Sequence, residues 1–312
     1  MIETEDRFTA SDDDPHSPTD DFYETETFWY SFFVPERDLG GWLYASIRGV
    51  PGTSGGGMWM WDGTAAEPWR VPFFQQFGHL KPPTPRGPGA LDFPSGLSIR
   101  TLEPGMSYDL RFDDRDRMKA HFRFDAVEEP VPLRRGEPPY PKASHYDQTG
   151  RITGQILLDG DRIDVDCHAM RDRSWGPRHE RGYRRVGYTW AASPDLSFLT
   201  YTAPTGPGAE HVYSGYVRRD GQVARIVDGS RQVERDPAEN WVTAISVEVR
   251  DELGRVTTGR AEGTSRLILP GATSLCLCTC LRWTVEGQVL NGEDQDVWPT
   301  KDWPRPSANR GA

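Results

Sequence analysis

The sequence predicts an all-β protein, and three observations carry this prediction. No window of about 12 residues shows the apolar spacing of an amphipathic helix. Short runs rich in β-branched and aromatic residues recur along the 312 residues. Turn-forming pairs such as Asp-Gly, Gly-Gly and Pro-Gly separate these runs. Many short strands at roughly regular spacing are typical of antiparallel sandwiches and barrels.

Each predicted strand is an apolar or alternating run bounded by turn residues. The first two, residues 29–34 and 41–47, flank a turn that contains Pro35, and the third, residues 58–61, ends at Asp62 and Gly63. The later runs follow the same pattern. In chain order they are residues 97–102, 107–112, 119–125, 151–158, 162–168, 183–191, 198–202, 212–217, 241–250, 265–268 and 275–285.

Composition excludes several classes of protein. The formal net charge is −11, which disfavours a nucleic-acid partner. No stretch approaches the roughly 18 apolar residues of a membrane helix, and residues 1–21 lack the basic and apolar parts of a secretory signal. We therefore expect a cytoplasmic protein without integral membrane association. The four cysteines include no Cys-x-x-Cys pair, so we expect neither a zinc site nor a disulfide framework.

A weak internal repeat suggests a duplicated β-unit of about 150 residues. Pro35 and Pro194 lie 159 positions apart between aromatic runs, and two Asp-Gly pairs, at 62–63 and 220–221, lie 158 apart. The acidic beginning of the chain is expected to be mobile. The predicted organisation is a disordered acidic segment over residues 1–21, a first β-barrel domain over 22–178 and a second over 179–312.

The stretch from Cys167 to Arg185 is the most distinctive part of the sequence. Asp172 stands between two arginines and beside Trp175, an arrangement that can tune a carboxyl pKa for acid or base chemistry. The alternative is a structural knot in which Asp172 pairs with the arginines and Trp175 fills the domain junction. His168, four residues earlier, is a second candidate acid or base, or a satisfied structural histidine.

Residues 144–178 resemble the hallmark of the carotenoid 1,2-hydratase/AttH-like family. In that family a strand ends in an Asp-x-x-Trp/Tyr-Gly motif at the junction of two lipocalin-like barrels, and here the motif reads from Asp172 to Gly176. Residues 29–48 also fit the family's opening strands. The resemblance implies two tandem lipocalin-like, calycin-type barrels or sandwiches.

The resemblance also implies a function. Members are said to hydrate isoprenoid double bonds, and similar tandem barrels catalyse pericyclic cyclisations or only bind apolar ligands. We therefore expect a hydratase, dehydratase, isomerase or cyclase of secondary metabolism that acts without a cofactor on an isoprenoid, steroid, polyketide or aromatic molecule. This chain has Arg173 where the hydratases usually carry an acidic or histidine residue. The alternatives are a noncatalytic carrier of an apolar ligand and an interaction module, and homodimerisation is left open.

The resemblance assigns roles to particular residues. Asp172 would be the acid, Arg173 would orient a polar head or an oxyanion, and Trp175, Tyr188 and Trp190 would line the wall. Arginines close to Asp172 would lower its pKa and make it a base or an electrostatic anchor. The remaining expected contacts are His145, Tyr146, His79, Trp59 and Trp61.

Two of these assignments have open alternatives. His145 and Tyr146 could complete a proton relay, whereas the residue after them, Asp147, could simply cap a turn. A metal site built from His168, His179 and Asp172 has no recognised ligand spacing, so no metal is expected.

Overall fold

The computed structural model describes residues 8–133, 144–179, 184–271 and 273–303. Within these ranges the protein is built from β-strands with two short 3-10 helices, Ala10–Asp13 and Pro35–Arg37, and the predicted all-β class is confirmed. None of the helices in the described ranges is long and apolar enough to cross a membrane. The strands are β1 (Glu24–Val34), β2 (Leu39–Arg48), β3 (Thr53–Trp61), β4 (Phe73–Leu80), β5 (Thr84–Pro85), β6 (Ala90–Asp92), β7 (Leu97–Glu103), β8 (Ser107–Asp113), β9 (Met118–Ala126), β10 (Val131–Pro132), β11 (Ser144–Leu158), β12 (Asp161–Pro177), β13 (Val186–Ala192), β14 (Leu196–Gly206), β15 (Ala209–Arg219), β16 (Gln222–Arg235), β17 (Val242–Asp251), β18 (Val256–Pro270), β19 (Ser274–Val285) and β20 (Gln288–Pro299).

The first twelve strands form one antiparallel sheet that curls into a half-barrel. Its order is β4-β3-β2-β1-β12-β11-β9-β8-β7-β6-β5, and β10 pairs with β11. The two longest of these strands, β11 and β12, lie side by side at the middle of the sheet. Alternate residues of each strand face the concave side, where an apolar core that includes Phe32, Leu43 and Phe122 is almost fully buried.

Strands β13 to β20 close into an eight-stranded antiparallel barrel. Phe198, Val247 and Trp283 belong to its interior core. Farther along the barrel the interior holds buried ion pairs, in which the Arg231 guanidinium contacts the carboxylates of Glu210 and Asp294 at 2.7 and 2.6 Å. The predicted domain boundary, between residues 178 and 179, lies between the last strand of the half-barrel and the first strand of the barrel.

The half-barrel and the barrel pack against each other through a third apolar cluster. Trp29 and Met170 of the half-barrel and Tyr188 and Trp190 of the barrel belong to it, and the ring centroids of Trp29 and Tyr188 lie 5.8 Å apart. Thr149 Oγ1 and Tyr216 Oη form a hydrogen bond of 2.9 Å across the same interface. We call this contact region the interface.

The register of the half-barrel places four side chains in one row on the interface face. Trp29 pairs with Tyr44 on one side and with Asp172 on the other, and Asp172 pairs in turn with Asp147. Residues directly opposite each other in neighbouring strands project from the same face. Two aromatic rings therefore stand in line with two carboxyl groups.

The expectation that residues 1–21 are disordered is wrong for the described part, residues 8–21. Asp13 is 5% exposed, and its carboxylate contacts the guanidinium of Arg171 at 3.0 Å. This ion pair fixes the segment on the half-barrel, because a buried arginine needs a partner for its charge. Residues 1–7 lie outside the described ranges.

Candidate functional site

Asp172 is a half-buried residue on the interface face of β12. Its Oδ1 atom is buried and accepts no hydrogen bond from the described residues. Burial and the charge of Asp147 raise the pKa of Asp172 from 3.8 to about 6, and the charges of His145, Arg178 and Arg171 oppose this shift. Asp172 therefore carries a carboxyl group that can gain and lose a proton near neutral pH.

His145 and Asp147 lie beside Asp172 on the neighbouring strand β11. His145 Nε2 is 3.0 Å from Asp147 Oδ1, and the hydroxyl of Tyr201 lies 2.8 Å from His145 Nε2. Tyr201 Oη also donates to Asp147 Oδ2 at 3.0 Å, and Tyr188 Oη donates to Asp147 Oδ1 at 2.8 Å. Residues of the half-barrel and the barrel thus share one buried hydrogen-bond cluster.

The hydrogen bonds assign the protons of this cluster. Because both tyrosine hydroxyls donate to Asp147, the Nε2–H of His145 is the donor toward Asp147 Oδ1 and Tyr201 Oη. Burial alone lowers the pKa of His145, but the negative charges of Asp147 and Asp172 outweigh it and raise the pKa. Asp147 accepts hydrogen bonds from His145, Tyr188 and Tyr201, whereas Asp172 Oδ1 accepts none from the described residues.

Aromatic rings surround the cluster. The Trp29 ring stands next to Asp172 in register and packs edge-on against Trp42, with ring centroids 5.3 Å apart. Tyr188 and Tyr201 pack edge-on against each other at 5.2 Å, and burial raises the pKa of Tyr188 well above its usual value. Tyr188 therefore remains a neutral donor, and the walls around the carboxyl groups are apolar.

A second carboxyl group, Glu293 on β20, lies elsewhere on the interface. Ser31 donates to its Oε2, and the Trp42 indole N–H lies 2.9 Å from Oε2 and 3.0 Å from Oε1. Burial raises the pKa of Glu293 to about 8, although both donors oppose the shift. Glu293 is therefore protonated at neutral pH.

A third carboxyl group, that of Glu128, follows β9 and also forms polar contacts at the interface. Its Oε1 accepts from the Tyr216 hydroxyl at 2.7 Å, and its Oε2 lies 3.1 Å from the Arg218 Nε. Burial raises the pKa of Glu128, against the hydrogen bonds from Tyr216 and Thr149. This carboxyl joins the two parts of the molecule.

One family model covers most of the chain. A family model described as "Domain of unknown function (DUF7064)" matches residues 9–292. The chain belongs to the DUF7064 family. No curated protein sequence matches this DUF7064 chain.

Solved structures share the fold of this DUF7064 protein at low sequence identity. A protein of Nitrosomonas europaea assigned to AttH (NE1406) is 12% identical with a TM-score of 0.57, and the match covers 88% of this chain and 92% of that one. CghA is 11% identical with a TM-score of 0.57 over 94% and 96% of the two chains. Kievitone hydratase from Nectria haematococca is 11% identical with a TM-score of 0.55 over 88% and 89%. The expected AttH-like resemblance and the tandem lipocalin-like fold are confirmed.

The structure brings some of the expected site residues of the DUF7064 protein together with Asp172. His145 lies within 4.8 Å of it, measured between the ring nitrogen and the carboxylate oxygen, and Tyr188 belongs to the same cluster. Trp59, Trp61 and Trp190 are buried in the interface cluster. The alternative in which Asp147 caps a turn is wrong, because Asp147 lies inside strand β11 and accepts hydrogen bonds from two tyrosines.

Arg173 was expected to serve the site, and the structure corrects this expectation. Consecutive residues of a strand point to opposite faces, so Arg173 and Arg171 point away from Asp172 into the half-barrel. Arg173 pairs there with Glu26 at 2.5 Å, and its guanidinium lies 3.8 Å from the centroid of the Phe28 ring. Neither arginine therefore pairs with Asp172 in a knot. The charge of Arg171 does lower the pKa of Asp172, but burial outweighs it and the net shift is upward.

Four other expected site residues also lie apart from the cluster. Tyr146 is on the concave side, where it receives a hydrogen bond of 2.5 Å from Arg171, and Trp175 stacks on His16 with ring centroids 4.1 Å apart. His79 is exposed on β4. His168 shares the face of Asp172 but lies four positions away along the strand, at about 13 Å. Burial and the charge of Arg151 lower its pKa.

Sequence reasoning missed Asp147, Tyr201, Glu128 and Glu293 as parts of the polar interface. One signal was available, because His145 and Asp147 are two residues apart and share a face of any strand that contains them. The other contacts join residues between 54 and 262 positions apart, as in the bonds from Tyr201 to Asp147 and from Ser31 to Glu293. No local pattern predicts such distant pairings.

His145, Asp147 and Asp172 could also hold a metal ion. One ring nitrogen and two carboxylate oxygens lie within 4.8 Å of one another, which is a donor set that divalent ions accept. The set differs from the expected group of His168, His179 and Asp172, since His179 lies next to Asp21, with 3.5 Å between His179 Nε2 and Asp21 Oδ2. Asp147 already accepts three hydrogen bonds, so a metal ion would have to displace protons from this cluster.

Proposed function

We propose that this protein is a cofactor-independent enzyme that transfers a proton to or from a hydrophobic small molecule held at the interface. The observation that carries the proposal is Asp172, whose buried Oδ1 lacks a described donor and whose pKa is about 6. A general acid or base works best when its pKa lies near the working pH. At pH 7 about a tenth of such carboxyl groups are protonated, so both forms are available.

The neighbours of Asp172 suit both halves of a proton transfer. When protonated Asp172 gives its proton to a carbon or oxygen of the substrate, the positive charge of His145 stabilises the carboxylate that remains. Asp147 and the two tyrosines keep the His145 ring and its proton in place. The Trp29 ring stands beside the carboxyl and can stabilise a developing cation by about 0.5–2 kcal/mol.

Similar proteins support a hydratase or related reaction. Kievitone hydratase is named for water addition, and CghA has also been solved with Sch210972. In this chain the same fold carries titratable groups in a largely apolar interface, which favours a substrate of isoprenoid, steroid, polyketide or aromatic type. Acid- or base-catalysed hydration, dehydration, isomerisation and cyclisation each include a proton transfer of the kind that Asp172 can perform, whereas a pericyclic cyclisation needs none.

A noncatalytic carrier of an apolar ligand is the second candidate, because the interface cluster of tryptophan and tyrosine rings could bind such a molecule by itself. The two candidates differ in what they require of Asp172. A carrier gains nothing from a carboxyl group whose burial costs free energy, whereas a proton-transfer enzyme depends on it.

The deciding experiment combines ligand identification with isotope exchange. The purified protein is extracted with organic solvent, and the extract and a panel of terpenoids, steroids, polyketides and aromatic compounds are incubated with the protein in D2O. Mass spectrometry then detects products and incorporated deuterium. Asp172→Asn is the test variant, and Asp166→Asn, at an exposed position of the same strand, is the matched control.

We expect conversion or deuterium incorporation with the wild type and Asp166→Asn, and none with Asp172→Asn. Ligand binding by all three proteins without deuterium incorporation would establish the carrier. Full activity of Asp172→Asn would refute the role of this carboxyl group.

A further inference from the structure

The concave side of the half-barrel contains a preformed anion site that the interface does not use. Arg171 is 2% exposed, and its guanidinium carbon lies 3.9 Å from the ring centroid of Tyr108 and 5.2 Å from that of Tyr146. Gln148 Oε1 accepts from Arg171 Nη1 at 3.0 Å and keeps the guanidinium oriented. A charged group enclosed by aromatic rings binds an anion and an aromatic ring together.

The chain's own Asp13 occupies this site. Its Oδ1 accepts from Arg171 Nη2 at 3.0 Å and from the Tyr108 hydroxyl at 2.7 Å. Its Oδ2 accepts from the backbone N–H of Gly105 at 2.9 Å. The two oxygens thus accept three hydrogen bonds, from β12, from β8 and from the turn before β8. Several convergent donors, one of them charged, are the arrangement that binds a carboxylate well.

Asp13 reaches the site from an N-terminal arm, which we define as residues 8–20. It is the one arm residue whose side chain is buried, and the others are half-buried or exposed. Phe8 adds an aromatic ring 5.2 Å from the Tyr146 ring, and it also packs on Gly105, the residue that donates to Asp13. The arm therefore presents a benzene ring and a carboxylate to the same pocket.

Apart from the buried Asp13–Arg171 ion pair, the arm is held mainly by part-buried polar contacts. Asp14 accepts from the Gly89 N–H at 2.7 Å, and His16 stacks on Trp175 and bonds to Glu26. The arm buries few apolar side chains, so its release costs far less than unfolding the half-barrel. A tethered group competes with free ligands at an effective concentration on the order of millimolar.

We propose that the pocket around Arg171 is a binding site for aromatic carboxylates, which the arm closes with Phe8 and Asp13. Arg173, the next residue on this face, is already paired with Glu26, so Arg171 is the charge available to the ligand. One buried cation surrounded by tyrosines selects a monoanion with a flat ring.

The test uses Asp13→Ala in the full chain, with Asp12→Ala as the matched control from the same arm. Asp12 bonds to His16 and Thr9 and does not contact Arg171. Phenylacetate is the probe, phenylacetamide is its neutral counterpart, and binding is followed by calorimetry and thermal shift. We expect Asp13→Ala to bind phenylacetate at least tenfold more tightly than the wild type or Asp12→Ala, with a saturable rise in melting temperature and no response to phenylacetamide.

If folded Asp13→Ala and the wild type bind phenylacetate equally weakly, the proposal is overturned. If acetate binds Asp13→Ala as tightly as phenylacetate does, the aromatic preference is refuted. Asp13→Ala leaves Arg171 without its carboxylate partner and could fail to fold, so two further measurements apply. Asp13→Asn preserves the shape of the arm and should still bind phenylacetate more tightly than the wild type. In the wild type, phenylacetate should speed amide hydrogen exchange in residues 8–20, and unchanged exchange at saturating probe would refute the site.

Discussion

Replacing Asp172 by asparagine should make the protein more stable while it removes the proposed activity. The carboxyl has a pKa of about 6 in the folded protein against 3.8 for the free side chain. At 1.36 kcal/mol per pH unit, this difference means that the ionised group costs the fold about 3 kcal/mol above pH 6. Asparagine has nearly the same shape and no charge, so most of this cost disappears.

The sign of the pH dependence follows from the same two values. Between pH 3.8 and 6 the folded state holds the proton that the unfolded state has lost, so the wild type loses stability as the pH rises through this window. Asp172→Asn lacks this loss. The stability difference between the two proteins should therefore be small near pH 4 and approach about 3 kcal/mol near pH 7.

Urea denaturation at several pH values measures this difference directly. Asp166→Asn is the control, since Asp166 forms an exposed ion pair with Arg151 that contributes less than about 1 kcal/mol. If Asp172→Asn were instead less stable than the wild type at pH 7, Asp172 would be a structural partner of a buried charge. The reasoning from the absence of a donor to its Oδ1 among the described residues would then be refuted.

Three further predictions concern the surroundings of the site. Arg173→Met should lower the free energy of unfolding by about 3–5 kcal/mol, because it leaves Glu26 buried without its partner. Turnover per folded molecule should not change. A loss of turnover at unchanged stability would show that Arg173 belongs to the site. Glu293→Gln should become progressively more stable than the wild type as the pH rises from 4.5 to about 8. In that window the raised pKa keeps the folded carboxyl protonated while the unfolded one ionises. A stability difference between the two proteins that stays constant across this range would contradict the prediction. Tyr201→Phe removes the hydroxyl that contacts both His145 and Asp147. We therefore expect the pH profile of activity or deuterium exchange to shift with little change in melting temperature. A large fall in melting temperature with an unshifted profile would make Tyr201 purely structural.

The sequence predicted the fold class well because local patterns determine it. The predicted run 29–34 lies within β1, and the predicted turn at Pro35 separates β1 from β2. Pro194 lies likewise between the first two strands of the barrel. Alternation along β19 likewise explains why Cys278 and Cys280, two residues apart, lie on one buried face.

The candidate site was harder to predict because its geometry depends on strand register and on contacts between distant parts of the chain. Asp172 was identified from its motif, but its arginine neighbours were assigned to it by proximity in sequence. Residues next to each other in a strand point to opposite faces. The residues that surround Asp172 therefore come from β11 and from the barrel instead. The tyrosines that hold His145 in place are the clearest example, because they belong to β13 and β14.

The alternation of β12 divides its residues into two classes that can change independently. Positions 170, 172 and 174 face the interface, and positions 169, 171 and 173 face the inside of the half-barrel. Substitutions in the first class can alter chemistry or ligand choice while the second class keeps the fold and the arm in place. A single inserted or deleted residue would exchange the two classes, placing both arginines at the interface and the carboxyl group in the half-barrel core. Relatives that diverge in ligand choice should therefore vary at every second position of this strand and keep its length.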